Sequence, residues 1–438
     1  MHDRLGWTGA AANSLQHWPQ WTRFAAAVRA DGLDRALVCG MGGSSLAPWV
    51  LAQSFRATNL AVLDSTDPAA VLDAERSHPL ERTLFLIVSK SGSTVETLAA
   101  YQYFAARARR DQFVAVTDPG SALERLAREQ GFRAVFPHPV DVGGRYAALT
   151  VVGMLPAALA GIEGHTLLER ADQIDIAAAR ALGKEIAARS AAGRDKLALH
   201  PPPSVASLAA WVEQLVAESS GKDEKGIVPL VDADAASGDD VQIMREFSAD
   251  PLDLGREFLR WEYATWELGE RLGVNAFDQP NVEEAKVLAR AELANPHAAA
   301  KHAPVTLTPA ALRNAARRGD YFALLAYLPP RPAVEAALQR VRTAWGRALG
   351  VVTTVGFGPR YLHSTGQLHK GGPNTGLFLI ITADPAQDID IPGMGTSFAR
   401  LERAQATGDI RALIARGRRV AHVHLADIRD LDQLAVVP

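Results

Sequence analysis

The chain has 438 residues, 48% of them apolar and 22% charged, with 46 Lys and Arg against 49 Asp and Glu for a net charge of −3. That length exceeds one ordinary core, so two domains or more are expected, and the near-balanced charge implies no nucleic acid or other polyanionic partner. The one cysteine, Cys39, excludes a disulfide framework, and no apolar stretch reaches the ~20 residues of a membrane helix, so a reducing cytoplasm is the expected setting.

Residues 1–31 read as helical, with Trp18, Trp21 and Phe24 spaced to pack into a core. Apolar runs then recur at 36–39, 60–63, 84–88, 113–116 and 134–136. Turn residues follow each run, and helical segments such as 94–110 and 122–128 separate them. Strands alternating with helices in this way predict a parallel α/β sheet with crossovers. An apolar helix over 146–160 closes this first domain near residue 165. A charged helical stretch over 167–189 leads into the second, 166–438, where three prolines at 201–203 interrupt the chain and Ser204 is expected to cap a helix running to Ser220. Its strand candidates are 227–231, 322–328, 351–355, 377–382 and 420–425. The stretch 398–418 reads as a helix whose charges form a solvated face.

Within the first domain, residues 84–101 stand out. The run 84–88 reads as a strand buried on both faces, and Ser89, Lys90, Ser91, Gly92, Ser93 and Thr94 make a hydroxyl-rich turn before a helical pattern. Backbone N–H groups, the helix dipole and the hydroxyls converge there on a natural anion site, although a plain βα loop ending in a helix cap has the same pattern. A second turn, Gly40, Met41, Gly42, Gly43, Ser44 and Ser45, follows the strand at 36–39. The dinucleotide fingerprint requires glycine where Ser45 stands, and a Walker loop requires a Gly-Lys pair followed by Ser or Thr. Neither fits, which leaves contact with a small anion or sugar, or a tight turn without a ligand.

Gly143, Gly144 and Arg145 open the apolar helix. A cation in a first turn opposes the helix dipole at a cost of up to about 1 kcal/mol, which an anionic ligand would remove and solvent would screen. Farther on, Val205, Leu208, Val212 and Leu215 mark a packed stripe whose continuation reaches Glu218, before Gly221 ends the helix as a C′ glycine. Glu218 is either an inward base or a charge where the stripe has surfaced. Gln279 and Lys286 lie seven apart, so on a helix with Pro280 in its first turn they project from one face. His363 and His369 are six apart, share no helix face and lack a completing carboxylate or cysteine. No metal site is expected; proton transfer by a histidine stays open beside an ordinary loop role.

The segments GMGGSS (40–45), SKSGSTVET (89–97), VGGRY (142–146), AESSGK (217–222), FDQPNVEEAK (277–286) and LHSTGQ (362–367) together resemble the phosphoglucose isomerase family. The resemblance implies two sugar-isomerase (SIS) domains, each a doubly wound, flavodoxin-like parallel sheet, packed side by side. It implies interconversion of glucose 6-phosphate and fructose 6-phosphate through a cis-enediol(ate), with no cofactor. Glu218 would shuttle the proton, Arg145 would stabilise the enediolate, and His363, assisted by Lys286, would open the sugar ring. Ser89, Lys90, Ser91 and Thr94 would hold the phosphate, with Ser44 and Gln279 completing the pocket. A homodimer is also implied, with the histidine supplied across the interface.

One departure concerns order: in most of the family the histidine segment precedes the Gln…Lys segment, whereas here it follows. That order resembles the isomerase half of transaldolase–isomerase fusions, so fusion or association with a transaldolase is a further expectation. A dual glucose/mannose phosphate isomerase, and a sugar-phosphate sensor without turnover, are the alternatives. A sensor has no use for an inward base.

Overall fold

In the computed structural model, which describes residues 4–231, 238–294 and 304–438, the early apolar runs become one parallel sheet. Its strands are β1 (Arg35–Gly40), β2 (Leu60–Leu63), β3 (Thr83–Val88), β4 (Phe113–Thr117) and β5 (Ala134–Pro137), in the order β2-β1-β3-β4-β5. Every residue of β3 is buried, and alternate side chains serve opposite faces. Leu84, Leu86 and Val88 enter one core beside helices Ala10–Ala30 and Val151–Ala160; Phe85 and Ile87 enter another beside helix Val95–Ala105. Burying each such side chain contributes ~1.5–3 kcal/mol, which is why the run is apolar without a break. Cys39 belongs to the second core, where burial pushes its thiol up to about 12. It packs and does not react.

The strand order sets the place of the site. The chain leaves β1 on one side to make β2 and returns on the other side as β3. Ligands of such sheets bind outside the strand C-termini at this reversal, and the loops found there are 41–45 and 89–94, the two turns singled out from sequence.

Beyond residue 165 the strands form two further parallel sheets. One has β6 (Lys196–Leu199) between β7 (Val228–Leu230) and β8 (Val241–Met244). The other runs β10-β9-β11-β14, from β9 (Tyr321–Tyr327), β10 (Val352–Phe357), β11 (Gly376–Ala383) and β14 (Arg419–Leu425), with a two-residue antiparallel pair, β12 (Asp390–Ile391) and β13 (Thr396–Ser397), beside it. The apolar core on the first sheet continues through helices Gly164–Asp172, Ile176–Ala191, Leu208–Ser220 and Leu254–Leu272, so chain on both sides of residue 165 shares it. Among the described residues no helix is long and apolar enough to cross a membrane.

Four local expectations are corrected. Arg145 lies in a one-turn 3-10 helix, Gly144–Tyr146, and the α-helix starts only at Val151 behind a Thr150 cap, so no helix-dipole mismatch exists. The helical stretch 167–189 is two helices broken by Asp175, whose carboxylate caps the second through the Ala178 N–H. Ser204 caps nothing: its hydroxyl donates to the Ala249 carbonyl, and the α-helix begins at Leu208. The helix Phe398–Ala415 is not merely a solvated face, because it buries Glu402, Gln405 and Asp409.

Candidate active site

The glycine-rich turn is a seam where distant segments meet. A Cβ on Gly42, whose φ is +56°, would lie 2.7 Å from the His363 carbonyl oxygen and 2.8 Å from Gln214 Nε2. A Cβ on Gly43 would collide with the Gly144 carbonyl and the Arg145 amide. Side chains are excluded here because two other backbone segments and the Gln214 amide already fill the space. Ser44 is half-buried at the end of this turn, beside the fully buried Ser45, whose hydroxyl donates to the Gly42 carbonyl.

On one side of the seam, Arg145 and Glu218 form a buried ion pair at 3.0 Å, their side chains 4% and 6% exposed. The guanidinium is fully engaged. Its Nε donates to Ser219 Oγ at 2.8 Å, Nη1 to Gln279 Oε1 at 3.2 Å, and Nη2 to the carbonyls of Ala276 at 2.5 Å and Asp278 at 3.1 Å. Four of its five N–H donors are thereby bonded, and the Glu218 carboxylate stands against Nη1 as an ion pair. Glu218 is therefore inward, not surfaced, and its second oxygen accepts from Gln214 Nε2 at 3.1 Å. Gly221, just beyond, has φ −77° and is no left-handed cap; glycine is required because a Cβ would strike Leu368 of the helix Gly366–Gly371.

Lys222 adds a second buried cation. Its Nζ donates to the carbonyls of Ser219 and Asn275 and pairs with Asp278 at 3.2 Å. Burial, followed by the charge of Arg145, lowers it to about 8. Gln279 precedes the helix Val282–Ala294, so it and Lys286 do not share a helix face. The Lys286 side chain lies outside the described residues.

On the other side stands His363, the last residue of the 3-10 turn Arg360–His363. Its carbonyl accepts from Gln214 Nε2 at 2.8 Å, so one amide group ties the histidine segment to Glu218. Its Nε2 lies 2.9 Å from Glu96 Oε1. A carboxylate only accepts, so Nε2 carries the proton in this contact. Gln405 Nε2 donates to the same Glu96 oxygen at 2.7 Å. His369, by contrast, is a core residue, hydrogen-bonded to Tyr321 at 2.9 Å and held well below the usual imidazole range by burial.

Glu96 sits in the first turn of the helix Val95–Ala105, which the hydroxyl-rich loop opens. Thr94 is the N-cap residue but makes no side-chain cap; its hydroxyl lies 3.0 Å from that of Ser89. Ser91 and Ser93 are exposed and 2.9 Å apart through their hydroxyls. Gly92, with φ +69°, has no room for a side chain against Leu123. Lys90 turns away from the hydroxyls to Asp118 at 3.0 Å and to the carbonyls of Pro139 and Val140. A continuous hydrogen-bonded and covalent path thus runs from the loop through Glu96, His363, Gln214 and Glu218 to Arg145 and Gln279. Three members of this arrangement were not read from sequence: Glu96, Gln214 and Gln405. Gln214 had a signal, since it stands one turn before Glu218 on the same face.

Fold and site together define an α/β protein of parallel sheets with a buried carboxylate–arginine pair close to a glycine-rich turn. A solved glucose-6-phosphate isomerase from Chlamydia trachomatis superimposes with a TM-score of 0.55 at 21% identity, over 64% of this chain and 73% of that one, and shows the shared fold. Residues 26–186 match the family model described as phosphoglucose isomerase, so this stretch carries that family's signature. Glucose-6-phosphate isomerase of Thermosynechococcus vestitus is 37% identical over 210 residues, 43% of this chain and 40% of the relative. That of a Nostoc species is 34% identical over 225 residues, 45% of this chain and 42% of the relative. The matched stretch therefore spans less than half the length of these curated relatives.

Proposed function

We propose that the chain interconverts glucose 6-phosphate and fructose 6-phosphate as a cytoplasmic enzyme of glycolysis and gluconeogenesis. The observation that carries this reading is the buried Glu218–Arg145 pair, joined through Gln214 to the His363–Glu96 pair. Moving a proton between C2 and C1 through a cis-enediol(ate) needs a carboxylate base and a cation beside the developing oxyanion, and a fixed phosphate gives the leverage. Glu218 is the base. Arg145, held by its carbonyl and hydroxyl partners, presents to the oxyanion the Nη1 group that faces Glu218.

Ser89, Ser91 and Thr94 bind the phosphate at the helix start, and Lys90, tied to Asp118, braces the loop from behind. Ser44 and Gln279 contact the sugar. His363, oriented by Glu96 and assisted by Lys286, opens the ring. Within one chain His363 already meets Glu96 through its ring and Gln214 through its carbonyl; a homodimer and association with a transaldolase are further parts of this reading. The chemistry requires no metal or organic cofactor.

A dehydrogenase-coupled assay on fructose 6-phosphate tests the reading, with mannose 6-phosphate run beside it. Turnover is expected for wild type and loss of turnover, with sugar-phosphate binding retained, for Glu218→Gln. Wild type that binds and never turns over would make the chain a sensor. Turnover of mannose 6-phosphate would make it a dual isomerase.

A further inference from the structure

Beneath His363 lies a buried ionic network that the proposed proton transfer does not use. Asp409, on the helix Phe398–Ala415, is wholly buried. Its Oδ1 accepts from Lys370 Nζ at 2.6 Å, the two side chains 1% and 0% exposed. Its Oδ2 accepts from the Tyr361 hydroxyl at 2.7 Å. The Tyr361 hydroxyl lies a further 3.0 Å from that of Tyr327, which has the proton to donate between them. Tyr361 stands two residues before His363 and Lys370 seven after it. One carboxylate therefore grips the histidine segment on both sides of its functional residue.

The same helix reaches the imidazole's partner. Gln405, one turn before Asp409 and so on the same face, donates to the Glu96 oxygen that His363 Nε2 contacts, and its own Oε1 accepts from Thr66 at 2.7 Å. The histidine carrier and the carboxylate that orients the ring thus share one rigid support. A buried ion pair gives little stability over a well-packed apolar replacement, so its use here asks for another reason. Apolar packing holds volume. Two charge-assisted bonds from one carboxylate hold two chain segments in one register.

We propose that Asp409 is a positioning residue for ring opening, acting through Tyr361 and Lys370 to hold His363 at the angle where it serves the ring oxygen. Ring opening carries a proton from the anomeric hydroxyl to the ring oxygen as the carbon–oxygen bond breaks, and the imidazole must reach both. The later proton shuttle by Glu218 does not need it. This assignment rests on the isomerase reading.

The test separates the two steps by substrate. Fructose 6-phosphate must open; 5-deoxyfructose 6-phosphate lacks the hydroxyl that closes the furanose and is always open. Turnover of the first is followed with the coupled assay. For the second, deuterium uptake at C1 from heavy water is followed by proton NMR. Asp409→Asn and the milder Tyr361→Phe should lower turnover of fructose 6-phosphate roughly ten- to hundred-fold, the scale of a small misplacement of a catalytic group, and leave exchange in the analogue within about twofold of wild type. His363→Ala should give the same split. If Asp409→Asn does not fold, Tyr361→Phe carries the test, since it removes one hydroxyl with its two hydrogen bonds and no charge. Equal losses on both substrates would make the network merely structural and overturn the proposal, as would no loss on either. Wild type inactive on both would remove the isomerase reading itself.

Discussion

The two ends of the site are built from the same pair of parts, a carboxylate against a cation or imidazole, but differ in which part is fixed. At one end Arg145 is held by two neighbouring segments, 218–219 and 276–279, through four hydrogen bonds and an ion pair, and Glu218 is held more lightly, by Arg145 and one amide. At the other end the carboxylate is the held group: Glu96 is bonded by Gln405 and His363, while the imidazole keeps one nitrogen open. The lightly held partner is the one suited to carry a proton. The firmly held partner suits a fixed charge or an orienting role. Burial alone does not distinguish them, because all four groups are largely hidden from solvent.

The largest effect that could break this contrast is on Glu218. Glu218→Gln should reduce turnover by roughly 10²–10⁴-fold, as expected for a lost general base, while calorimetry shows sugar-phosphate binding retained. Next comes Arg145→Met, which leaves Glu218 buried without its partner. A loss of about 3–5 kcal/mol is expected in denaturant titrations, beyond any loss of activity. If Arg145→Met is as stable as wild type, the arginine is not the fixed member of its pair. At the other end Glu96→Gln should cost less, roughly ten- to hundred-fold in turnover, since sugars also open without help and the imidazole is kept but mis-set. An activity loss equal to that of Glu218→Gln would erase the difference in roles.

The smallest effect sharpens the electrostatics around Arg145. Lys222 is lowered from its ordinary value to about 8 by burial and by Arg145. Between that value and the unfolded value of 10.5 the unfolded chain binds the extra proton, so stability from this group rises with pH across the window. It is lost as pH falls through about 8. The stability difference between wild type and Lys222→Met should therefore shift in favour of wild type as pH is raised from 7.5 to about 10, read as denaturant midpoints. A difference that does not change with pH would mean that Lys222 is not buried as a charge.

The parts of this molecule that sequence exposes are those where one local pattern carries the meaning. The stretch 84–94 is legible because a doubly buried strand must be apolar throughout and because hydroxyls and glycine then have to make the turn. Strand β6 is not legible: it is four residues long and begins with Lys196, whose charge is buried beside Asp195 and Asp240. Glu96 was hidden for a different reason, since an acid in a first helical turn is already explained by the dipole. Gln405 and Asp409 lie in a helix that mixes charged and apolar residues, flanked by Ala404, Ala406, Gly408 and Ile410. Only the tertiary fold says which side of it is inward. Arg145 was visible through resemblance, while the local argument for it, a helix-dipole mismatch, disappears once the helix is seen to start at Val151. Long-range pairing decides these cases.

The seam at Gly42 and Gly43 also bears on how the protein becomes active as it folds. It joins segments 144, 214 and 363, which are far apart in sequence, through contacts too close for any side chain. Contacts between residues so distant in sequence form late, after the sheets that carry them. In refolding from denaturant, helical signal should therefore return first and turnover only when this last closure is made. The lag between the two would time the joining of the two halves.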